Sequence, residues 1–269
     1  MGNVLEYEKR GHIAYITLNR PEVRNAIDPE LMVRLAEAWM DYDQDDELRV
    51  AIVTGAGDQS FCAGADLKRL IPLLTGAREP EDEWDHRLRA DASLGRTALL
   101  RGNDLFKPVI AAINGHCLAA GTELVQGTDI RIASDNATIG LTEVKRGIVP
   151  AGGGLMRMPR QVPFAKAMEI LLVGDSISAE EARLIGFVNY VVPQSELMAK
   201  AEEFAAKIAA NGPLAVRKVK EAVIRGAGLP LKEAQQIENE VIAAVMSSED
   251  AREGPRAFIE KRPPQYKGR

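Results

Sequence analysis

The sequence predicts an α/β protein that ends in a helical region. Short apolar segments typical of strands alternate with helical patterns over the first part of the chain, and strand signals disappear after Ser195. Such alternation is typical of α/β architectures. With 269 residues, 46% of them hydrophobic, the chain is long enough to bury a large core. We therefore divide it into a body, 1–200, and a C-terminal helical region, 201–269.

The strands of the body are predicted from short apolar or alternating segments that end near glycine or proline. They lie at 5–8, 12–18, 49–54, 109–113 and 129–133. Arg10 and Gly11 are expected to join the first two strands. A helix follows Pro21, with Asp28 as its N-cap and apolar residues at three- and four-residue steps from Ile27 to Tyr42.

The remaining elements are predicted from looser patterns. A polar stretch at 76–85 contains a proline and predicts a mobile loop before a helix around 91–101. Long loops of this kind often form lids or pocket walls. In the C-terminal region, apolar stripes predict helices over 197–208 and 231–241, and Pro213 suits the first turn of a helix between them. Ser247 and Asp250 are spaced as in a capping box, although Asp replaces the usual Glu or Gln.

Composition and charge argue against several classes of protein. A net charge of −5 and a pI near 5.5 do not favour a nucleic-acid-binding surface. No run of 18 apolar residues is present, so we expect no membrane span, and the first residues lack an apolar signal core. Cys62 and Cys117 have no metal-type spacing and do not suggest a disulfide framework. We therefore expect a cytoplasmic protein without a metal site.

A dinucleotide-binding site is the strongest competing interpretation, because Val53-Thr-Gly-Ala-Gly57 follows a predicted strand. The next residues, Asp58-Gln-Ser-Phe, interrupt the glycine pattern that a dinucleotide phosphate requires. None of the five tyrosines is followed by a lysine four residues later, as short-chain dehydrogenases would require. These departures disfavour the dinucleotide interpretation.

Three turns rich in glycine or other small residues carry the candidate site. They are Phe61-Cys-Ala-Gly-Ala-Asp66, Leu118-Ala-Ala-Gly-Thr-Glu123 and the stretch from Glu143 to Gly152-Gly-Gly154. Backbone N–H groups in such turns can hold a negatively charged oxygen, and two carboxylates, Glu123 and Glu143, can move the protons of a water molecule. The combination predicts chemistry on a carbonyl compound. The three glycines are expected either to end a turn before the next helix or to shape the pocket floor.

Several segments resemble the crotonase (enoyl-CoA hydratase/isomerase) superfamily, in order and over nearly the whole chain. They are Asn19-Arg-Pro-Glu-Val-Arg-Asn-Ala26, Ser60-Phe-Cys-Ala-Gly-Ala-Asp-Leu67, Ile113-Asn-Gly-His-Cys-Leu-Ala-Ala-Gly-Thr-Glu-Leu124, and the segments 147–154, 179–189 and 257–262. The resemblance implies a ClpP/crotonase-like spiral of ββα units, followed by helices that assemble homotrimers, often paired as hexamers. It also implies an acyl-CoA thioester substrate and no separate cofactor, because coenzyme A is part of the substrate.

The resemblance assigns catalytic roles by position. It places the oxyanion hole at the backbone N–H groups of Ala65 and Ala120, ahead of a helix that Gly121 opens. Many members have glycine where Ala120 stands, but the required group is main-chain. The resemblance makes Glu143 the residue that exchanges a proton with the α-carbon and Glu123 the partner that activates water. Retention of both glutamates is typical of a hydratase.

Residues that bind coenzyme A are also implied by position. Arg24 and Lys68 correspond to residues that contact phosphate or nucleotide, and Lys267 resembles a tail lysine that reaches coenzyme A. The path of adenine and pantetheine is expected to involve Ala26, Ala63, Asp66, Leu67 and Gly121. Gln59 stands near a position where some relatives carry a further lysine, which leaves one phosphate contact in doubt.

The predicted reaction is the reversible hydration of a trans-2-enoyl-CoA to a 3-hydroxyacyl-CoA. Four alternatives stay open at this stage: a Δ3,Δ2-enoyl-CoA isomerase, an acyl-CoA hydrolase, a specialised dehydratase of the carnitinyl-CoA type, and an inactive scaffold that binds coenzyme A. The presence of both glutamates argues against the inactive scaffold.

Overall fold

Ten strands form from the short apolar segments within residues 3–102 and 105–269, the part of the chain that the computed structural model describes. They are β1 (Leu5–Arg10), β2 (Ile13–Leu18), β3 (Val50–Gly55), β4 (Ser60–Cys62), β5 (Val109–Ile113), β6 (His116–Leu118), β7 (Ile130–Ser134), β8 (Thr138–Gly140), β9 (Ile177–Ser178) and β10 (Tyr190–Val192). All five predicted strands are present, with ends that differ by at most two residues.

The strands form two sheets. The larger has the order β1-β2-β3-β5-β7-β10, and the smaller has the order β4-β6-β8-β9. Strands β1 and β2 are an antiparallel hairpin, whereas β2, β3, β5, β7 and β10 are parallel neighbours. In the smaller sheet β4, β6 and β8 are parallel, and β9 is antiparallel to β8.

Consecutive strand pairs build the spiral. The pairs β3/β4, β5/β6 and β7/β8 each give their first strand to the larger sheet and their second strand to the smaller one. Each turn therefore lies on the previous turn, and the residues that follow β4, β6 and β8 meet at one side of the smaller sheet. The predicted ββα spiral is present.

Twelve helices of the described residues cover or extend the sheets. They are α1 (Pro29–Gln44), α2 (Leu70–Thr75), α3 (Glu83–Ala90), α4 (Ser93–Ala98), α5 (Ala120–Gln126), α6 (Gly154–Gln161), α7 (Phe164–Val173), α8 (Ala179–Leu184), α9 (Leu197–Ala209), α10 (Pro213–Gly226), α11 (Leu231–Met246) and α12 (Asp250–Ile259). Asp28 caps α1 as predicted, accepting a hydrogen bond from the Leu31 N–H at 2.9 Å.

The segment 69–102 is more regular than predicted. Residues 83–85, expected in a loop, begin α3, because Asp82 caps that helix by accepting the Asp85 N–H at 2.9 Å. The Asp85 carboxylate is fully buried and accepts a hydrogen bond from Arg78 at 2.9 Å. This ion pair holds the pKa of Asp85 down at about 2. The helix expected around 91–101 is the shorter α4.

The C-terminal helices divide into two groups. Helix α9 buries Leu197, Ala201 and Ala205 against the face of the larger sheet that carries Ile52 and Ile110. Residue 200, the predicted boundary, falls inside this helix, and the division of the chain stays a prediction. Helices α10 and α11 pack on each other, and α12 follows.

The capping box predicted at Ser247 is wrong. Ser247 ends α11, and its hydroxyl donates to the Ala244 carbonyl at 3.0 Å. The neighbouring Ser248 accepts the Ala251 N–H at 3.0 Å and so occupies the capping role instead. Two adjacent serines follow α11, and the second of them, Ser248, accepts the capping hydrogen bond.

Candidate active site

The Ala65 amide is the first candidate donor to a substrate oxygen. Its neighbours are already paired with Ile27: the Ile27 N–H donates to the Gly64 carbonyl, and the Asp66 N–H donates to the Ile27 carbonyl, both at 2.8 Å. In a parallel pairing of this kind the flanking peptide groups form the bonds, so the Ala65 N–H points away from Ile27. It is therefore available to a ligand.

The Ala120 amide is the second candidate donor. Ala120 is the first residue of α5, where a backbone N–H has no partner within the helix. The preceding residue, Ala119, has a φ of +51°, which is unfavourable for alanine, and its N–H donates to the Gly140 carbonyl at 2.8 Å. This strained residue immediately precedes α5 and so sets the orientation of its first amides. Backbone strain of this kind is typical of functional sites.

Glycines bring the two turns together. At Gly64, with a φ of +101°, a Cβ atom would lie 2.7 Å from the Ala119 Cβ and 3.5 Å from the Ala120 nitrogen. At Gly121 a Cβ atom would lie 2.6 Å from the Cys62 carbonyl oxygen. Only glycine allows so close an approach, and the turns that carry the Ala65 and Ala120 amides are therefore direct neighbours.

Glu123 is held by a pair of backbone amides. Its side chain is only 2% exposed, and its Oε1 accepts the N–H groups of Gly152 at 2.7 Å and Gly154 at 2.8 Å. Burial raises the pKa of Glu123, while these two N–H groups and the positive charges of Arg101 and Arg157 act in the opposite direction. The amides therefore favour the ionised form of a buried carboxyl group.

The three consecutive glycines thus have a role that the sequence did not reveal. A Cβ atom at Gly152 would lie 2.8 Å from Glu123 Oε2, and one at Gly154 would lie 3.0 Å from Glu123 Oε1. Gly152 also lines the cavity described below. The run Gly152-Gly-Gly154 was the available signal, but its contact with Glu123 depends on the stacking of α5 and α6.

Glu143 is also buried, but its side chain lacks the backbone N–H donors that Glu123 has among the described residues. It begins a short 3₁₀ helix, Glu143–Arg146, and is 7% exposed. Its Oε2 atom is buried and has no hydrogen-bond partner among the described residues. Burial raises the pKa of Glu143 to about 7, and the negative charge of Glu123 adds to the shift. A carboxyl group in this state can hold or release a proton near neutral pH.

The catalytic groups predicted from the sequence meet in one cavity of about 510 Å³. Ala65, Ala120, Glu123 and Glu143 all line it. Its apolar walls come from α1, from the segment 67–99 and from the stretch after Glu143, and include Met32, Leu67, Leu70, Leu88, Leu99 and Val149. The segment 69–102 therefore contributes to the pocket wall, although residues 76–85, the predicted loop, do not line it. A cavity with this lining suits an apolar acyl chain.

Some of the predicted coenzyme A residues lie at this cavity. Ala63 and Leu67 line it, and Leu67 is largely exposed. Asp66 instead accepts the Lys68 and Arg69 N–H groups at 2.9 and 3.1 Å and forms an ion pair with Arg20. Its carboxylate therefore stabilises the turn that presents the Ala65 amide.

The remaining predicted residues lie outside the cavity wall. Arg24 and Lys68 are exposed, Ala26 is half-buried, and Gly121 packs against Cys62. Lys267 forms an ion pair with Glu249 at 3.0 Å in the C-terminal region. Their proposed contacts with coenzyme A stay predictions.

Three arginines at the cavity were missed by the sequence reasoning. Arg96, Arg101 and Arg146 all contribute to its wall. Arg157 lies behind the wall and donates hydrogen bonds to the carbonyls of Leu99 and Leu100. No motif marks these positions, because single arginines in helical or polar segments resemble ordinary surface charge.

Comparison with known proteins agrees with this fold and site. A sequence profile described as enoyl-CoA hydratase/isomerase matches residues 8–269. The chain is 42% identical over 265 residues to "Enoyl-CoA hydratase EchA19" of Mycobacterium tuberculosis, covering 97% of this chain and 96% of that protein. It is 40% identical to "(E)-benzylidenesuccinyl-CoA hydratase" of Thauera aromatica, with 97% and 98% covered.

Two further matches extend the comparison. "Carnitinyl-CoA dehydratase" of Salmonella enteritidis is 41% identical, with both chains fully covered. A crystal structure of enoyl-CoA hydratase from Bacillus anthracis superimposes with a TM-score of 0.89 at 40% identity, covering 99% of this chain and 100% of that one. The chain therefore belongs to the enoyl-CoA hydratase/isomerase family. The predictions of a crotonase fold and of an enzyme of the enoyl-CoA hydratase type are confirmed. Among the described residues no helix is long and apolar enough to cross a membrane.

Proposed function

We propose that the protein catalyses the reversible addition of water to a trans-2-enoyl-CoA. One observation carries the proposal: the buried carboxyl groups of Glu123 and Glu143 line the same cavity as two available backbone amides. Glu123 accepts two backbone N–H groups, whereas Glu143 Oε2 has no hydrogen-bond partner among the described residues. Hydration requires a base for the water and an acid for the α-carbon, together with donors for the thioester oxygen. The four groups supply these three functions.

The amides of Ala65 and Ala120 would bind the thioester oxygen. Addition of hydroxide at the β-carbon places negative charge on that oxygen in an enolate-like state. Two fixed N–H donors stabilise this charge without reorganisation, and removal of one such donor typically costs roughly 10²–10³ in rate. The N-terminal end of α5 contributes a further favourable potential.

The two glutamates would share one proton. Glu123 accepts two N–H groups and therefore favours the carboxylate, which can take a proton from water. Glu143, with its pKa raised to about 7, can hold the proton that passes to the α-carbon. After the addition the proton resides on Glu123, and the reverse reaction restores the first state.

The observed site favours hydration over isomerisation and disfavours a carnitinyl substrate. An isomerase moves one proton between two carbons and requires one acid–base group, whereas this cavity holds two. Carnitinyl-CoA carries a permanent positive charge, which the three arginines of the wall would repel. The names of two relatives specify different acyl groups, so an identity near 40% does not define the acyl group.

Loss of absorbance at the enoyl-thioester band tests the proposal. The substrates are crotonyl-CoA and a longer trans-2-enoyl-CoA, and the variants are Glu123→Gln and Glu143→Gln. Each variant should lose roughly 10²–10⁴ in rate. Glu169→Gln is a matched control, because Glu169 is an exposed acid on α7 that pairs with Lys166.

The outcomes separate the candidate reactions. Near-native rates in both glutamine variants would contradict the assignment. If the wild type leaves both enoyl thioesters unchanged but converts a trans-3-enoyl-CoA into the conjugated isomer, the protein is an isomerase. We also propose that no metal or redox cofactor takes part, so exhaustive dialysis against a chelator should leave the rate unchanged.

We further propose that Arg24, Lys68 and Lys267 contact the nucleotide part of coenzyme A. The proposal rests on the family positions of these residues and on the exposure of the first two. Lys68→Ala should weaken binding of free coenzyme A in a titration without changing the thermal stability. Unchanged affinity would contradict the role.

A homotrimer, or a pair of trimers, is proposed for the assembly. The C-terminal helices expose large apolar side chains, including Phe258 at 85% and Ile259 at 79%. Light scattering should give the mass of three or six chains, and a monomer would contradict the proposal. A cytoplasmic location is part of the same proposal, and cell fractionation tests it.

A further inference from the structure

Three cations line the acyl cavity. Arg96, Arg101 and Arg146 line the cavity, and no carboxylate of the described residues forms an ion pair with any of them. By contrast, Arg69 and Arg78 on the same segment are both paired with acids. Among the described residues of the cavity wall, the acids are the two glutamates to which the chemistry is assigned.

Arg101 is placed by a defined turn. After α4, Leu100 adopts a φ of +51°, which is unfavourable for leucine. The Leu100 N–H donates to the Thr97 carbonyl at 3.0 Å, and the Arg101 N–H donates to the Arg96 carbonyl at 2.8 Å. These two hydrogen bonds end α4 in a Schellman motif, in which Leu100 occupies the left-handed position that is usually glycine.

The same turn is fixed from outside by Arg157. Its guanidinium donates hydrogen bonds to the carbonyls of Leu99 and Leu100. Leu100 is buried and packs closely against Gly127, where an added Cβ atom would lie 2.6 Å from the Leu100 Cβ. The backbone that carries Arg101 is therefore held on both sides, although the Arg101 side chain is exposed to the cavity and to solvent.

Arg101 lies at the end of the cavity where the chemistry takes place. Its Cγ would be 3.7 Å from a Cβ atom at Gly153, between the two glycines that hold Glu123. Burial raises the pKa of the Glu123 carboxyl, and the positive charge of Arg101 opposes that rise. A ligand group bound by Arg101 would consequently belong to the acyl part of the substrate.

We propose that the acyl group of the substrate carries a carboxylate, which Arg101 binds. This inference rests on the proposed function and specifies its substrate class: an enoyl-CoA derived from a dicarboxylic acid. A guanidinium can bind a carboxylate through two parallel hydrogen bonds. Arg96, on the same turn, adds positive charge to the cavity wall.

Binding of saturated acyl-CoAs tests the inference without using the reaction. Adipoyl-CoA and hexanoyl-CoA have six-carbon acyl groups and differ in a terminal carboxylate in place of a methyl group. Titration calorimetry with the full-length wild type should give tighter binding of adipoyl-CoA. In Arg101→Met the affinity for adipoyl-CoA should fall roughly 10- to 100-fold, and that for hexanoyl-CoA should change little.

The control is Arg160→Met. Arg160 is exposed, donates only to the Met156 carbonyl at 2.6 Å among the described residues, and does not line the cavity. It should retain the wild-type preference for adipoyl-CoA. Circular dichroism on all three proteins confirms that each is folded.

Three results would overturn the inference. They are tighter binding of hexanoyl-CoA by the wild type, an unchanged preference in Arg101→Met, and an equal loss for both ligands. The equal loss would assign Arg101 to the phosphates of coenzyme A. A protein that binds adipoyl-CoA through Arg101 but hydrates no enoyl-CoA would retain the binding inference and refute the proposed reaction, so the two failures are distinguishable.

Discussion

Replacing Gly152 by alanine should slow hydration without unfolding the protein. In the native structure the Gly152 N–H donates to Glu123 Oε1 at 2.7 Å. A Cβ atom at this position would lie 2.8 Å from Glu123 Oε2 and 2.5 Å from Leu99 Cδ1. Both distances are too short, so the carboxylate must move away from the amide that stabilises its charge.

The size of the effect follows from the lost hydrogen bond. A hydrogen bond to a charged group contributes about 1.5–3 kcal/mol. If the Gly154 N–H is retained, loss of one such bond corresponds to a decrease of roughly 10- to 150-fold in kcat/KM, at a factor of ten per ~1.4 kcal/mol. The direction of the pKa change is also defined, because loss of an N–H donor raises the pKa of Glu123 further.

The assay is the pH dependence of kcat/KM with crotonyl-CoA. In the proposed mechanism Glu123 must be ionised to activate water, so the acid limb of the profile should move to higher pH in Gly152→Ala. The control is Gly226→Ala, at the end of α10, where the new Cβ would lie 3.4 Å from the Ala234 Cβ, an ordinary contact. A Gly152→Ala enzyme with an unchanged acid limb and a rate within twofold of the wild type would refute the reasoning.

Three further predictions concern buried carboxyl groups. The proposed mechanism requires Glu123 and Glu143 to hold one proton between them, and Glu143 ionises near pH 7. The value of kcat/KM should therefore fall in both reaction directions as the pH rises above about 7. A rate that continues to rise above pH 8 would contradict this. Burial raises the pKa of Glu143 above its value in the unfolded chain, so ionisation of Glu143 destabilises the fold as the pH rises. The melting temperature of Glu143→Gln minus that of the wild type should therefore increase from pH 5 to pH 8. A constant difference would argue against the raised pKa. Asp85→Asn should lower the free energy of unfolding in urea at pH 7 by about 3 kcal/mol, because it leaves Arg78 without its buried partner, whereas replacing the exposed Asp175 should change it little.

The regular part of the fold could be predicted from local patterns. Apolar or alternating segments located the predicted strands to within two residues. The central strands β3 and β5 are continuous apolar runs because both faces of a parallel sheet are buried. Asp28 and Pro213 marked the starts of α1 and α10 for reasons that act within one turn of helix. These signals depend on neighbouring residues only, so they can be read without knowing the tertiary structure.

The parts that could not be predicted depend on contacts between distant segments. Residues 83–85 resemble a loop in composition, yet the buried ion pair of Asp85 with Arg78 holds them in α3. The hydrogen bonds from Gly152 and Gly154 to Glu123 join residues about thirty positions apart. The turn at Leu100 that places Arg101 has no glycine to mark it, because surrounding contacts hold leucine in a conformation it rarely adopts.

The difference between the two glutamates would allow the proposed reaction to run in both directions. Both carboxyl groups are buried, and burial alone raises both pKa values. Two N–H donors oppose that effect at Glu123, whereas Glu143 Oε2 has no partner among the described residues. The pair therefore retains one proton near neutral pH, with Glu143 as its preferred holder in the free enzyme. In the proposed mechanism Glu143 gives its proton to the α-carbon and Glu123 takes one from water, so the pair again holds one proton after the addition and is ready for the reverse reaction.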